Sequence, residues 1–291
     1  MTSISNSPFT GSIPDHYDHY LGPMYFEPYA IDIVERFDPS VMRTVLELGC
    51  GTGRVTRHLQ RVLPANATLI SSDFSPDMLA MAKEKLKGLN IDWRIIDAQQ
   101  LPFDDNSIDL VVCCFAYMFV ENKTKAFAEA YRVLKPGGMF LFSTWDKLEL
   151  NAPSYIFRMI VKTYLTDNLP ETYKLPYGFN DPDVIRELLE NAGFLSITIE
   201  HVVKTAISDT AMEAAIGLSN GGSLYNEIMN RNPAWIEEIT EKLEKELTEK
   251  YGASPMMAPM SAVVCKAFAS KSPNASTPLS HLYRSSATGD L

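Results

Sequence analysis

Three glycines at alternate positions, Gly49, Gly51 and Gly53, stand just after an acid, Glu47, in the stretch VLELGCGTGRVTRHL (residues 45–59). Glycine reaches positive φ without strain and lets a bound group come against the backbone, while a helix that follows presents N–H groups with no partner of their own. That arrangement suits a nucleotide-type cofactor. Two more acids, Asp73 and Asp97, each close an apolar run further on, in ATLISSD and IDWRIID. An acid at the end of the second strand of such a unit can accept hydrogen bonds from both hydroxyls of an adenosine ribose. His16 and His19 are candidate general bases because imidazole titrates near neutral pH, and each can equally be a solvated surface residue. His58, on the polar side of its helix, and His201, in a strand, read as structural. Tyr117 and Met118, in FAYMFVEN, either line a substrate pocket or pack in the core.

The elements that must position these groups are legible from the apolar spacing. Thr44-Val45-Leu46 reads as a short buried strand, and Val55, Leu59 and Val62 recur at i, i+4 and i+7, so the glycines occupy a strand-to-helix turn. A strand over Ala67–Ser72 ends at Asp73, and Ser75 with Pro76 opens a helix in SPDMLAMAKEKL. IDWRIID is a third strand ending at Asp97. IDLVVCCFAYMF, from Ile108, is apolar at nearly every residue, as a central parallel strand covered on both faces must be. A helix through NKTKAFAEAYRVL is expected to stop at Pro136 and the glycines of KPGG, ahead of a fifth strand, MFLFSTW, from Met139. Asp181 caps and Gly193 ends a helix in DPDVIRELLENAGF, and LSITIEHVVKTAI is a long strand.

About fifty largely helical residues, 209 to 251, precede the last strand, SAVVCKAFA, and an insertion of that length is often a lid. GLSNGGS, from Gly217, is a flexible connection or the hinge of that lid. EEITEKLEKELTEK reads as a solvated helix with acid–lysine pairs. Near the N-terminus Tyr17, Tyr20, Leu21 and Met24 recur at i, i+3, i+4 and i+7, as on one face of a helix packed against the domain. The strand–helix alternation implies an α/β fold with a doubly wound parallel sheet.

The 291 residues suit one elaborated domain. A net charge of −10 argues against nucleic acid or an anionic membrane as the main partner. Cys50, Cys113, Cys114 and Cys265 lack metal-ligand spacing and read as small core residues in a reducing compartment. The opening MTSISNSPFTGSIPDHY lacks the basic-then-apolar pattern of a leader, and no segment is apolar enough to span a bilayer, so a soluble cytoplasmic protein is expected. Residues 1–13 and the Ser- and Pro-rich stretch 270–291 are expected to be disordered, which leaves 14–269 as the domain.

Glycine spacing separates the cofactor candidates. A dinucleotide fingerprint is G-x-G-x-x-G with the pyrophosphate on the helix N-terminus. Here Arg54 occupies the place of the third glycine, and Glu47 would repel a pyrophosphate but attract a sulfonium or an amino group. Glu47 can also be a buried acid paired with a loop N–H, and both readings stay open.

At this point ELGCGTG resembles the first motif of class I S-adenosylmethionine-dependent methyltransferases. SSDFSPDMLAMA, IDAQQLPFDDNSIDLVV and RVLKPGGMFLFSTW resemble the later motifs in order and spacing. The match is densest over 44–146 and is similar in style to the small-molecule branch that includes the ubiquinone and menaquinone biosynthesis enzymes. HYDHYLGPMYFEPYA and SLYNEIMNRNP with MSAVVCKA resemble, more loosely, the flanks of bacterial members of unassigned substrate. The resemblance implies a Rossmann-like sheet of seven strands with an N-terminal helical cap. It also implies S-adenosyl-L-methionine as cofactor and S-adenosyl-L-homocysteine as product. Gly49 and Gly51 would bed the methionine portion, and Asp73 would hold the ribose hydroxyls. Phe74 and Met78 would border the adenine, with Asp97 accepting its amine and the Ala98 N–H bonding the ring. Phe115 would face the methionine portion, and Tyr17 would touch the cofactor as the N-terminal segment closes.

The function expected is methyl transfer to a small-molecule acceptor by direct displacement, which needs alignment and exclusion of water rather than a metal. Tyr17, His19 and Tyr117 are the candidates if a base is needed. Alternatives on the same fold are an aminopropyl transferase, which calls for extra acids around the substrate amine where CCFAYMFVEN is mostly apolar, and a non-catalytic cofactor-binding regulator. A dehydrogenase would instead bind NAD.

Overall fold

The computed structural model describes residues 11, 13–166 and 169–270. The disorder expected for 1–13 and 270–291 falls on positions outside the described residues, save Gly11, Ile13 and Ser270. Ile13 is buried and begins helix α1 (Ile13–His16), so the packed domain includes it. A π-helical stretch, Tyr17–Phe26, follows and runs into α2 (Glu27–Val34). The chain then alternates: β1 (Thr44–Leu48), α3 (Arg54–Val62), β2 (Thr68–Asp73), α4 (Pro76–Lys85), β3 (Asp92–Ile95), β4 (Ile108–Cys114), α5 (Lys123–Val133) and β5 (Leu134–Trp145). Next come α6 (Ala152–Tyr164), α7 (Glu171–Lys174), α8 (Pro182–Ala192) and β6 (Phe194–Ser208). The chain closes with α9 (Ala211–Asn220), α10 (Tyr225–Arg231), α11 (Trp235–Tyr251) and β7 (Met256–Ala269).

The seven strands form one sheet in the order β3-β2-β1-β4-β5-β7-β6. β1 to β5 are parallel, and β7 runs antiparallel between β5 and β6. The sheet is thus mostly parallel and seven-stranded, as the motifs imply. Leu110 and Val112 of β4 pack into the core on one face, and Val111 and Cys113 into the core on the other. That two-sided burial explains the unbroken apolar run. The winding reverses between β1 and β4, and the crevice beyond the carboxyl ends of those strands is where such sheets take ligands.

Local chemistry sets the helix ends. The Ser75 side chain accepts from the Met78 N–H with Pro76 in the first turn of α4, and Asp181 accepts from the Asp183 N–H at 2.9 Å to start α8. Gly193, at φ 100°, ends α8. The KPGG reading needs correction. α5 stops at Val133, and Leu134 already pairs with Ile108, so Pro136 and the glycines form an irregularity inside β5. The pyrrolidine ring excludes the helical region for the residue before it, and the chain becomes extended ahead of the proline. β3 ends at Ile95, short of Asp97. On α3 the buried face is Val55, Thr56 and Leu59, with Val62 exposed. Helix α11 buries Ile239, Leu243 and Leu247 at four-residue spacing and so is amphipathic, not solvated on every side. No helix of the described residues is long and apolar enough to cross a membrane.

The N-terminal segment is helical, as the spacing predicts, but it is wound wider than an α-helix. Pro23 lies inside it and has no N–H to give the carbonyl five residues back, that of Asp18. Arg54 supplies the missing donor, its Nη2 reaching the Asp18 carbonyl at 3.1 Å. Gly22 makes room, since a Cβ there would stand 2.2 Å from that nitrogen. The same segment is pinned electrostatically to the glycine loop and α3. Asp18 accepts from Thr52 Oγ1 at 2.6 Å and from Lys85, and Glu27 accepts from Arg54, Arg57 and His58 at 2.7–2.9 Å.

Glu27→Ala should remove about 1–2 kcal/mol of local stability from this clasp, since the charge-assisted bonds from Arg54, Arg57 and His58 are lost and Arg54 keeps only Asp18. Hydrogen exchange over residues 17–26 is expected to accelerate about 5–30-fold, with the sheet unaffected.

The insert over 209–251 is helical as expected, and α9 packs on the π-helical segment. GLSNGGS is not a loose connection. A Cβ on Gly221 would fall 2.9 Å from the Tyr17 backbone nitrogen, so glycine is what lets the insert close against the N-terminal helix.

Candidate cofactor and substrate site

One cavity of about 420 Å³ opens at the carboxyl ends of the parallel strands, a size ordinary for small-molecule sites. Tyr17, Gly49, Gly51, Asp73, Phe74, Met78, Asp97, Ala98 and Phe115 all line it. They arrive from five places: the N-terminal helix, the glycine turn after β1, and the ends of β2, β3 and β4. The opposite wall is built by α6, the turn after α7 and the junction of α9 with α10.

Asp73 is the fixed point of the first wall. Its carboxylate accepts from the Gly51 and Ser75 N–H groups, each at 2.8 Å, and no basic side chain pairs with it among the described residues. Burial pushes its pKa upward against the pull of those backbone bonds. A carboxylate has about four lone-pair directions, so acceptor capacity remains for a ligand. Gly51 sits at φ 54° with open space where a Cβ would be, which makes the turn a cradle. Asp97 accepts from the Gln99 N–H at 2.8 Å, which orients its carboxylate at the cavity rim.

Aromatic rings enclose the middle of the cavity. Phe115 adopts φ 55°, costly for a bulky residue, and that backbone turn stacks its ring on Trp145 at 4.1 Å. Phe26 stands 5.5 Å from Phe115 and 4.8 Å from Tyr17. Such ring faces attract a cation. Burial first, then the charge of Asp73, drives the Tyr17 phenol far above the ordinary tyrosine range, which favours its protonated form.

A family model described as a methyltransferase domain matches residues 46–142. The chain is 31% identical over 207 residues to demethylmenaquinone methyltransferase of Staphylococcus haemolyticus, covering 65% of this chain and 84% of that one. The chain belongs to the class I S-adenosylmethionine-dependent methyltransferases. The methyltransferase is also 33% identical over 172 residues to the ubiquinone/menaquinone biosynthesis C-methyltransferase of Pseudoalteromonas translucida, covering 54% and 68% of the two chains. Phosphoethanolamine N-methyltransferase 2 of Haemonchus contortus, solved with S-adenosyl-L-methionine, shares the fold with a TM-score of 0.58 at 18% identity. That match covers 92% of this chain and spans only 60% of the nematode enzyme.

Its cofactor is S-adenosylmethionine, and the cavity fits that group. A half-buried carboxylate with spare acceptor capacity, a side-chain-free cradle and a ring of aromatic faces are what a ribose, a methionine chain and a sulfonium require. Phe26, Phe115 and Trp145 line the cavity. Glu47 does not line the cavity, and its carboxylate accepts from Thr56 Oγ1 at 2.6 Å and Ser71 Oγ at 2.8 Å. The structure thus does not bring Glu47 together with the other residues expected to hold the cofactor. Glu47 shares the strand face of Val45, toward α3, whereas Leu48 on the alternate face lines the cavity.

Burial pushes the Glu47 pKa up to about 7 from an ordinary 4.5, against the two hydroxyl bonds. Between those values the folded state keeps a proton that the unfolded state has released, so stability falls as pH rises. Glu47→Gln preserves the shape and has no such slope. Relative to wild type it should gain about 2–3 kcal/mol between pH 5 and pH 8, read from urea midpoints.

Two other candidates also lie elsewhere. Tyr117 is fully buried among Phe127, Phe140 and Phe142, its hydroxyl without a partner among the described residues, so it belongs to the core with Met118. His19 is exposed, edge-on to Tyr20, and outside the cavity. His58 and His201 pair with Glu27 and Asp146, as structural residues do. The sequence reading missed Tyr25, Phe26, Trp145, Phe157, Arg158 and Tyr177, all of which line the cavity. A signal existed for one of them: in SYIFRMIV the single basic residue interrupts apolar helical spacing.

Proposed function

We propose that the methyltransferase transfers the methyl group of S-adenosylmethionine to a small-molecule acceptor by direct displacement. The observation that carries this reading is one cavity lined both by the cofactor residues and by a second, largely apolar wall. In this reading Asp73 accepts from the ribose hydroxyls, and Asp97 and the Ala98 N–H take the adenine edge between Phe74 and Met78. Gly49 and Gly51 bed the methionine chain. Phe26, Phe115 and Trp145 surround the sulfonium, and Tyr17 closes over it with the N-terminal helix.

When bound, the cofactor supplies an electrophilic methyl already activated by positive charge. The protein aligns the acceptor and excludes water. No histidine lines the cavity among the described residues, so alignment, not proton transfer by imidazole, is the chain's contribution. An aminopropyl transferase would need acids on the second wall for its amine substrate, and that wall carries an arginine, Arg158. The four unpaired cysteines support a reducing, cytoplasmic setting.

The test is incubation with methyl-labelled cofactor and fractionated cell extract. A labelled compound of low molecular mass is the expected product. Label recovered only in protein or nucleic acid, or no label transferred while S-adenosylhomocysteine still binds, contradicts the reading.

A further inference from the structure

The cavity has a second pole that the cofactor roles leave unused. Arg158, in the middle of α6, is 5% exposed and lines the cavity. Its Nη1 donates to the Tyr173 carbonyl, and the Tyr173 hydroxyl donates back to the Arg158 carbonyl at 2.8 Å. The guanidinium lies 5.1 Å from the ring centroids of Tyr173 and Tyr177. Each of these partners is neutral. The groups that act on the Arg158 charge are the phenols of Tyr177, Tyr173 and Tyr25, and no carboxylate pairs with it among the described residues. Guanidinium stays protonated in proteins, and a buried charge without a counter-ion is costly. The same cavity is lined by the apolar Leu21, Phe157, Leu218 and Leu224 and by Tyr25 and Ser154, whose hydroxyls are 2.9 Å apart.

We infer that Arg158 anchors the methyl acceptor, and that the acceptor is a small carboxylic acid with an apolar body. This deepens the proposed function and rests on it. The planar guanidinium matches a carboxylate in two parallel bonds and neutralises its single charge. A phosphate dianion would leave a second charge exposed to apolar surroundings, a polyamine would meet like charge, and a neutral acceptor would leave the guanidinium uncompensated. The apolar wall then holds the body of the acid while the far side presents the atom to be methylated to the cofactor.

Calorimetry on the full chain saturated with S-adenosylhomocysteine tests this, with 3-phenylpropionate and octanoate as probes against their primary amides. The acids are expected to bind wild type about tenfold tighter than the amides. Arg158→Met should erase that preference while S-adenosylhomocysteine affinity stays within about twofold, and Arg158→Lys should keep part of it, which a purely structural tie would not. Circular dichroism verifies that both variants fold, and the acid–amide comparison in wild type stands even if one does not. Acids that bind wild type no tighter than amides, or not at all, overturn the inference. So does an Arg158→Met variant that loses S-adenosylhomocysteine instead, because the charge then serves the cofactor's own carboxylate. A wild type that binds no S-adenosylhomocysteine overturns the cofactor reading beneath it.

Discussion

Gly51→Val is expected to lower the affinity for S-adenosylhomocysteine by more than about 100-fold, or roughly 3 kcal/mol, in a chain that still folds. Two effects combine. Gly51 holds φ 54°, where a β-branched residue is strained by roughly 1–3 kcal/mol. Its Cβ position meets no protein atom within 4 Å, so the new methyl groups stand in the cradle that the methionine chain needs. Gly51→Ala carries the strain with little of the bulk and should fall between the two. Titration calorimetry reads the affinity, and thermal unfolding reads the strain separately. A valine variant that binds as wild type would mean that the ligand does not touch this turn.

Asp73→Asn is expected to weaken cofactor binding by about 1.5–3 kcal/mol, which is about 10–150-fold. The amide keeps the volume but presents N–H₂ where a ligand hydroxyl or the Gly51 and Ser75 N–H groups require an acceptor. The wild-type carboxylate has its pKa raised by burial, so lowering the pH should protonate it in the folded state before an exposed aspartate and weaken binding with it. The asparagine variant lacks that part of the pH dependence. Equal slopes in the two proteins would remove Asp73 from the ligand contacts.

Much of the first wall was legible because its signals are local. A glycine turn between an apolar strand and a helix, Ser75 with Pro76, and acids at the end of β2 and just beyond β3 are each read within a few residues, and the sheet order places them at one edge. The fold was legible for the same reason, down to the Asp181 cap and the Gly193 stop. The second wall was not. Arg158, Tyr177 and Leu224 meet only because α6, the turn after α7 and the insert converge, and no periodicity within one segment encodes that convergence. The π winding of residues 17–26 depends on Arg54, a residue of another helix, replacing the donor that Pro23 lacks. Glu47 stands apart from the cavity for a simpler reason. Its charge suggested a cation partner, but strand alternation puts it on the face toward Thr56, and alternation was the signal to weigh.

The position of the adenosine decides the cofactor roles of Asp73, Gly49 and Gly51. A crystal structure of the chain with S-adenosylhomocysteine measures this most directly. The prediction is both ribose hydroxyls within hydrogen-bond distance of the Asp73 carboxylate, with the homocysteine chain across Gly49 and Gly51. A ligand seated elsewhere, or a complex in which Asp73 touches only its own backbone partners, would contradict it.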